Sequence, residues 1–430
     1  MKSYFSRIDK KQLPYLLVLL FGIITGSIGY FLYGNIKLVS YGDSSYYFQT
    51  AELIKANLNN LFTSQEIGIG ESLNAIIIGI LIKLPFNDFY EIFFFQILIY
   101  GFTGLFLFKF TEEYIGQKSA WIVAFFYLVN NKHWQHIYIM KPGVWVVFWI
   151  SLVLLYAIRL FKDPGNRKLL IIYSLLIGAL ILTDMRYIPH IAALSFMILL
   201  PLKPFGLAFK KMLAIAGLVL LTITPWIVRE YYVFDRFIFI SDVNTIVFQQ
   251  TFAPEKFKES WVYKGEIHKL DSIILPDGRN LQHEGLIKEG KLSREQVNYL
   301  VAKENSKSNF RQRLEYGLSL WVPFKFRYSY EPKTTYKPIQ APASKANNLN
   351  RIIMLGILYP FFFIGLFVIA RKKDMFGLGL ILMLIFHFFL HMFTYTDWRY
   401  LLPVLPVITL ISVMGLNLIL EKLKPSYRLY

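Results

Sequence analysis

The sequence predicts an all-α polytopic membrane protein, a bundle of about 10–11 transmembrane helices with an exterior loop domain. Three observations carry that prediction. The 430 residues are 55% hydrophobic and only 17% charged, with a mean hydropathy of +0.44, whereas a soluble domain is about 45–50% apolar and about 25% charged. The apolar excess comes in long blocks. The basic residues collect in short gaps between those blocks, Arg159 to Lys168, Lys203 to Lys211 and Arg371 to Lys373, which is how loops kept on the cytoplasmic side are marked. The net charge of +18 therefore reports topology, and its distribution argues against a nucleic-acid partner. The chain has no cysteine, so it has no disulfide or thiolate metal site. It also has no N-x-S/T sequon, and the two absences together point to a prokaryotic plasma (inner) membrane.

The elements follow in order. Lys2, Arg7, Lys10 and Lys11 precede an uncharged run from Leu13 to Ile36. That run is longer than a signal-peptide core of about 7–15 residues, so it reads as a retained first span with a cytoplasmic N-terminus. Gly22, Gly26 and Gly29 on it give a small-residue stripe for helix packing. Further spans are expected at 71–86, 91–109, 119–131, 142–161, 168–183, 187–201, 211–229, 351–370, 376–393 and 400–420. Counting sides between the basic gaps leaves one span too many. One of 71–86 and 119–131 is therefore expected not to cross fully; the shorter, 119–131, is the expected one, and either choice leaves 132–141 outside.

Residues 44–61 predict an exterior helix. Tyr47, Thr50, Ala51, Ile54, Leu58 and Leu61 share one face, which should lie on the membrane surface. A second exterior helix starts at Leu292, with Ser293 and Gln296 as a capping box and Leu292 stapling onto Val297. Three regions result: residues 1–229, a transmembrane catalytic module with the exterior loop 36–70; residues 230–350, an exterior loop domain; and residues 351–430, the C-terminal transmembrane helices.

The charged residues that interrupt this pattern gather on the exterior side. Asp43 follows the first span and heads the exterior helix. An N-cap role and a general-base role are both open to it, and they are compatible. Asp184 and Arg186 in TDMRY break apolar sequence on both sides, so they are either a structural ion pair or a phosphate-binding arginine with its carboxylate. Arg229 closes another span among Trp226, Tyr231 and Tyr232. It is a snorkelling side chain or the floor of a sugar-phosphate pocket. Asp397 and Arg399 open the last span, where Pro403 and Pro406 would kink the helix. Lys141 could meet an anionic ligand or a lipid head group. His133 and His136 read as polar loop histidines rather than metal ligands. One carboxylate and several arginines on one membrane face suit a substrate with a phosphate and a lipid tail. A P-loop, a dinucleotide fingerprint and H-E-x-x-H are all missing from the sequence.

These pieces, in this order, resemble a known family. YGDSSYYFQTAELI, GIGESLNAIIIGILIKL, ALILTDMRYIPHIAALSFMILLP, TITPWIVREYYVFDRFIFIS and DWRYLLPVLPVITL are similar to successive segments of GT-C superfamily membrane glycosyltransferases. The resemblance is to the protein-O-mannosyltransferase-like group, glycosyltransferase family 39, and within it to the aminoarabinose-transferase-like branch. It implies a GT-C-like bundle and an inverting transfer of a sugar from a polyprenyl-phosphate donor to a glycan, lipid or protein acceptor at the outer face of the bilayer. Asp43 would be the catalytic carboxylate, acting as base or holding a divalent cation, so metal dependence stays open. Arg186, Arg229, Arg399 and Lys141 would be donor-side groups, supported by Asp184, Glu71, Tyr46, Tyr47 and Asp397. Three departures stand out: Glu230 replaces the usual Asn after Arg229, 132–141 lacks a second acidic residue, and Glu71 stands where lysine- or proline-rich sequence is common. The alternative is a lipid or polysaccharide transporter. That would want a charged path through both faces, whereas the candidates here share one.

Overall fold

Backbone groups in hydrocarbon must bond within their own segment, and among the described residues the apolar blocks fold as helix. The computed structural model describes residues 11–33, 43–67, 72–81, 88–138, 141–235, 237–240, 353–393 and 398–423, with Ile273–Ile274, Asn280–Leu281, Leu314, Leu318 and Trp321 between. In chain order the helices are α1 (Leu13–Tyr33), α2 (Asp43–Ala56), α3 (Asn60–Thr63), α4 (Ser72–Leu81), α5 (Asp88–Ile115), α6 (Gln117–Leu128), α7 (Asn131–Ile137), α8 (Gly143–Lys162), α9 (Arg167–Thr183), α10 (Ile188–Leu199), α11 (Phe205–Phe234), α12 (Tyr359–Lys372), α13 (Met375–Phe393) and α14 (Leu405–Leu423). Short 3₁₀ turns cover Gln65–Ile67, Met185–Tyr187 and Trp398–Leu401, and a π-turn, Met354–Leu358, leads into α12. Apart from helix there is a two-residue antiparallel pairing of Ile273–Ile274 with Asn280–Leu281. The protein is an all-α, multi-pass membrane protein. Among the described residues six segments, in α1, α5, α8, α11, α13 and α14, are each long and apolar enough to cross a bilayer unaided.

Polar contacts define one end of the bundle. The Tyr15 hydroxyl donates to Glu112 at 2.8 Å, Arg159 pairs with Glu113 at 2.6 Å, and the Tyr114 hydroxyl donates to Asp374 at 2.5 Å. These bonds bring the start of α1, the ends of α5 and α8 and the α12–α13 turn together. The basic gaps lie at this same end. Asn166 there caps α9, its side chain accepting from Lys168 N and Leu169 N.

The opposite end holds the start of α2, and the direction of travel between the ends overturns one expectation. α5 has 28 residues, about 42 Å at 1.5 Å per residue, so Asp88 lies at the Asp43 end. The chain approaches α4 from that end too, since Gln65 Nε2 donates to the Val233 carbonyl near the close of α11. α4 has 10 residues, about 15 Å, half a hydrocarbon core. The chain is at the Asp43 end before α4 and again at Asp88 after it, so α4 does not carry it across. α6 instead crosses. Ser119 at its start accepts from Asn417 Nδ2, and its far end leads into α7, where Trp134 packs against Gly29 and the Tyr138 hydroxyl donates to the Gly26 carbonyl. The non-crossing span is therefore 71–86 and not 119–131. Length misled, because α7 continues the passage that α6 begins.

The exterior helix also differs from its expectation. α2 stops at Ala56, five residues before Leu61. Asparagines compete with helix there: Asn57 Oδ1 accepts from Asn59 N at 3.0 Å, and Asn60 Nδ2 donates to the Leu53 carbonyl at 2.8 Å. Its apolar face is buried by protein rather than laid on lipid. Ala51 and Ile54 are fully buried, and both lie against Gly79 of α4, where a Cβ would stand 2.9 Å from Ile54. The glycine stripe of α1 behaves as read, with Gly22 so close that a Cβ would lie 2.7 Å from the Gly101 Cα of α5. The second exterior helix, from Leu292, lies outside the described residues.

Candidate functional site

The Asp43 end gathers most of the charged residues that the sequence singled out. α9 ends at Thr183, and the chain turns through Met185–Tyr187 into α10. Asp184 makes that turn. Its Oδ1 accepts from Arg186 N at 3.1 Å and Arg186 Nε at 2.8 Å, and its Oδ2 accepts from Arg186 Nη2 at 2.6 Å. The Asp184 side chain is 3% exposed, but the Arg186 side chain is 22% exposed. The pair is thus an ion pair, as the sequence allowed, with its guanidinium reaching the surface. That guanidinium stacks over Tyr400, 4.4 Å from the ring centroid. Tyr400 follows Arg399 in the Trp398–Leu401 turn. Two arginine-bearing turns, more than 200 residues apart in sequence, therefore meet.

Arg229 is built differently. α11 runs past the expected boundary at 229 and on to Phe234, so Arg229 and Glu230 sit on its last turns, both buried. Arg229 Nε donates to the Leu61 carbonyl at 2.8 Å, Nη1 to Glu230 Oε1 at 2.6 Å, and Nη2 to the Ser64 carbonyl. Its guanidinium also lies over Trp226, 4.9 Å from the ring. Trp226 Nε1 in turn donates to the Ile240 carbonyl at 3.0 Å. These contacts fasten the α2–α4 connection and the exit from α11 together. Glu230 is the carboxylate that balances this buried charge.

Asp43 is the first residue of α2. α2 packs on α4, α4 packs on α9, and α9 ends at the Asp184 turn. Tyr47 is 5% exposed and sits in an apolar cluster with Ala51, Ala75 and Ile78, as a core residue. Lys141 lies in the turn between α7 and α8 at the same end. The side chains of Asp43, Tyr46, Glu71, Asp397 and Arg399 lie outside the described residues. His133 and His136 are buried in α7, not loop residues. His133 lies 4.5 Å from the Tyr127 ring. Among the described residues no group of three or more His, Asp or Glu side chains is arranged to hold a metal ion.

A cluster that the sequence reading missed lies beneath Arg186. His190 and His387 are fully buried and His391 nearly so, and His190 Nε2 lies 3.0 Å from His387 Nδ1. His391 stacks on Tyr400, with centroids 5.0 Å apart and planes 18° apart. Trp321, from the 230–350 segment, packs edge-on against His387 at 6.2 Å, and its carbonyl accepts from the Tyr359 hydroxyl. The available signal was His387 and His391 at i, i+4 inside an otherwise apolar helix, where a polar residue calls for a partner.

No protein-family model and no curated protein sequence matches the chain. Solved structures do. The oligosaccharyltransferase AglB from Archaeoglobus fulgidus, in complex with an inhibitory peptide and a dolichol-phosphate, superposes with a TM-score of 0.55 over 97% of this chain at 15% identity. The same organism's oligosaccharyltransferase tethered to an acceptor peptide gives 0.55 over 98% of this chain at 15% identity. The fold is GT-C. This chain spans 51% of the length of each of those structures.

Proposed function

We propose that the protein is a membrane glycosyltransferase that moves a sugar from a polyprenyl-phosphate donor to a glycan, lipid or protein acceptor at the outer face of the bilayer. The observation that carries this reading is the meeting of the Arg186 and Arg399 turns at the Asp43 end of a GT-C bundle. The AglB structure holds a dolichol-phosphate, a ligand of the donor's chemical class. The basic gaps at the other end suit a cytoplasmic face, which would put Asp43 outside and the N-terminus inside.

The chemistry is a single inverting displacement. Asp43 takes the proton of the acceptor hydroxyl as its oxygen attacks the anomeric carbon. The bond from that carbon to the phosphate oxygen breaks, and both electrons leave with the polyprenyl phosphate. A positioned base of this kind contributes roughly 10²–10⁴-fold. Arg186 and Arg399 meet the growing phosphate charge, and losing one such donor costs about 3–4 kcal/mol of transition-state stabilisation. Asp184 holds the Arg186 fork in place, and Lys141 adds positive charge at the rim. The 230–350 segment reaches the bundle at Trp321, and acceptor choice is assigned to it.

The test uses purified protein and Asp43→Asn in detergent with a panel of polyprenyl-phosphate sugars and a native membrane extract as acceptor source. Donor loss and polyprenyl phosphate release are followed together. Turnover by wild type and none by a folded Asp43→Asn supports the reading. Equal turnover by both removes Asp43 from the chemistry, and no turnover across the panel with divalent metal added counts against a lipid-phosphate donor.

A further inference from the structure

The buried histidines close a ring of contacts that begins and ends at the Met185–Tyr187 turn. Arg186 lies over the Tyr400 ring at 4.4 Å. The other contacts of Tyr400 include His391, stacked at 5.0 Å. His391 meets His387 edge to face at 4.6 Å. His387 Nδ1 lies 3.0 Å from His190 Nε2. His190 lies 5.0 Å from the ring of Tyr187, the residue after Arg186. The ring crosses from α10 to α13 and on to the Trp398–Leu401 turn, the three pieces of chain that frame Arg186 and Arg399.

We propose that this ring, with His391 as its key member, is a positioning device that sets the spacing of the two arginine-bearing turns for one donor phosphate. The inference rests on the lipid-phosphate reading above. Tyr400 is in contact with both a cation, Arg186, and an imidazole, His391, so it cannot shift without disturbing Arg186. A cation over an aromatic face gains little at an exposed site and more where water is excluded. The stacked Tyr400 and His391 therefore help to fix the Arg186 guanidinium. The hydrogen bond between His190 and His387 pins the far side of the ring. Replacing it would demand two apolar groups of matching shape, since a lone buried imidazole would be left without its partner. The histidines are positioning residues: they act on donor phosphate through Arg186 and Tyr400.

The deciding variants are His391→Phe, which keeps a planar ring against Tyr400, and His391→Ala, which removes it. Tyr400→Phe and Tyr400→Leu form a second such pair. Two quantities are read for each purified protein in detergent: affinity for polyprenyl phosphate without sugar, by native mass spectrometry, and donor KM and kcat in turnover. Wild type should bind polyprenyl phosphate. His391→Ala and Tyr400→Leu should weaken that binding and raise donor KM by about tenfold, with kcat changed less than threefold. His391→Phe and Tyr400→Phe should stay within about twofold of wild type. Wild type that binds while Ala and Leu variants bind equally well overturns the positioning role and leaves the lipid-phosphate reading standing. Phe variants that fail alongside the Ala and Leu variants also overturn it, because stacking is then not what matters. Wild type that does not bind polyprenyl phosphate overturns both.

Discussion

Arg229 and Arg186 looked equivalent in sequence, and the structure separates them in a way that can be measured. The perturbation is Arg229→Met. It removes the donors to the Leu61 and Ser64 carbonyls and leaves Glu230, a fully buried side chain, without the guanidinium it meets at 2.6 Å. Breaking one half of a buried ion pair costs about 3–5 kcal/mol, because an uncompensated charge stays behind. The carbonyl losses overlap with that term and do not add in full. The double variant Arg229→Met with Glu230→Leu removes the orphan charge. It should regain most of the loss, as apolar groups of similar volume commonly replace a buried pair without net cost. Unfolding by heat and by denaturing detergent measures the stability, and turnover per folded molecule measures the rest. Arg229→Met should be much less stable, yet the fraction that folds should keep its donor KM. Arg186→Lys should behave in the opposite way. The charge beside Asp184 is kept and stability holds, but the fork that grips phosphate in two places is lost and donor KM rises. An Arg229→Met protein as stable as wild type, with a raised donor KM, would refute the division and return Arg229 to the donor site.

Two further outcomes are expected. Asp43→Asn should fold normally and lose at least a hundredfold in turnover, measured by polyprenyl phosphate release; a smaller loss removes it as base. Gly415→Ala should disrupt the α12–α14 crossing, where a Cβ would fall on the Phe361 carbonyl oxygen and stand 2.7 Å from Gly365 N; its folded yield should collapse, while Gly217→Ala, where nothing lies within 4 Å, should leave yield unchanged.

What the sequence made legible follows from which interactions are local. Hydropathy and the basic gaps report a residue's own surroundings, so the helices appeared in the right order and with the charged candidates at one end. Asp184 and Arg186 are two residues apart and bond each other, so their pairing was readable as well. The sidedness of α4 and α6 was not, because it depends on where the chain goes next: α7 completes a crossing that α6 is too short to make alone. α2 was drawn on lipid because its apolar face cannot say whether lipid or α4 covers it. The role of Arg229 was hidden for the same reason. Its acidic partner is the next residue, but the carbonyls that fix it are 168 and 165 positions away. The histidine ring is the extreme case, as His190 and His387 are 197 residues apart and each alone reads as an odd polar residue in an apolar helix. A membrane interior makes such residues costly, so an unexplained histidine in a span is itself a sign of a partner elsewhere. Here that partner leads, contact by contact, back to the arginine that the sequence had already picked out.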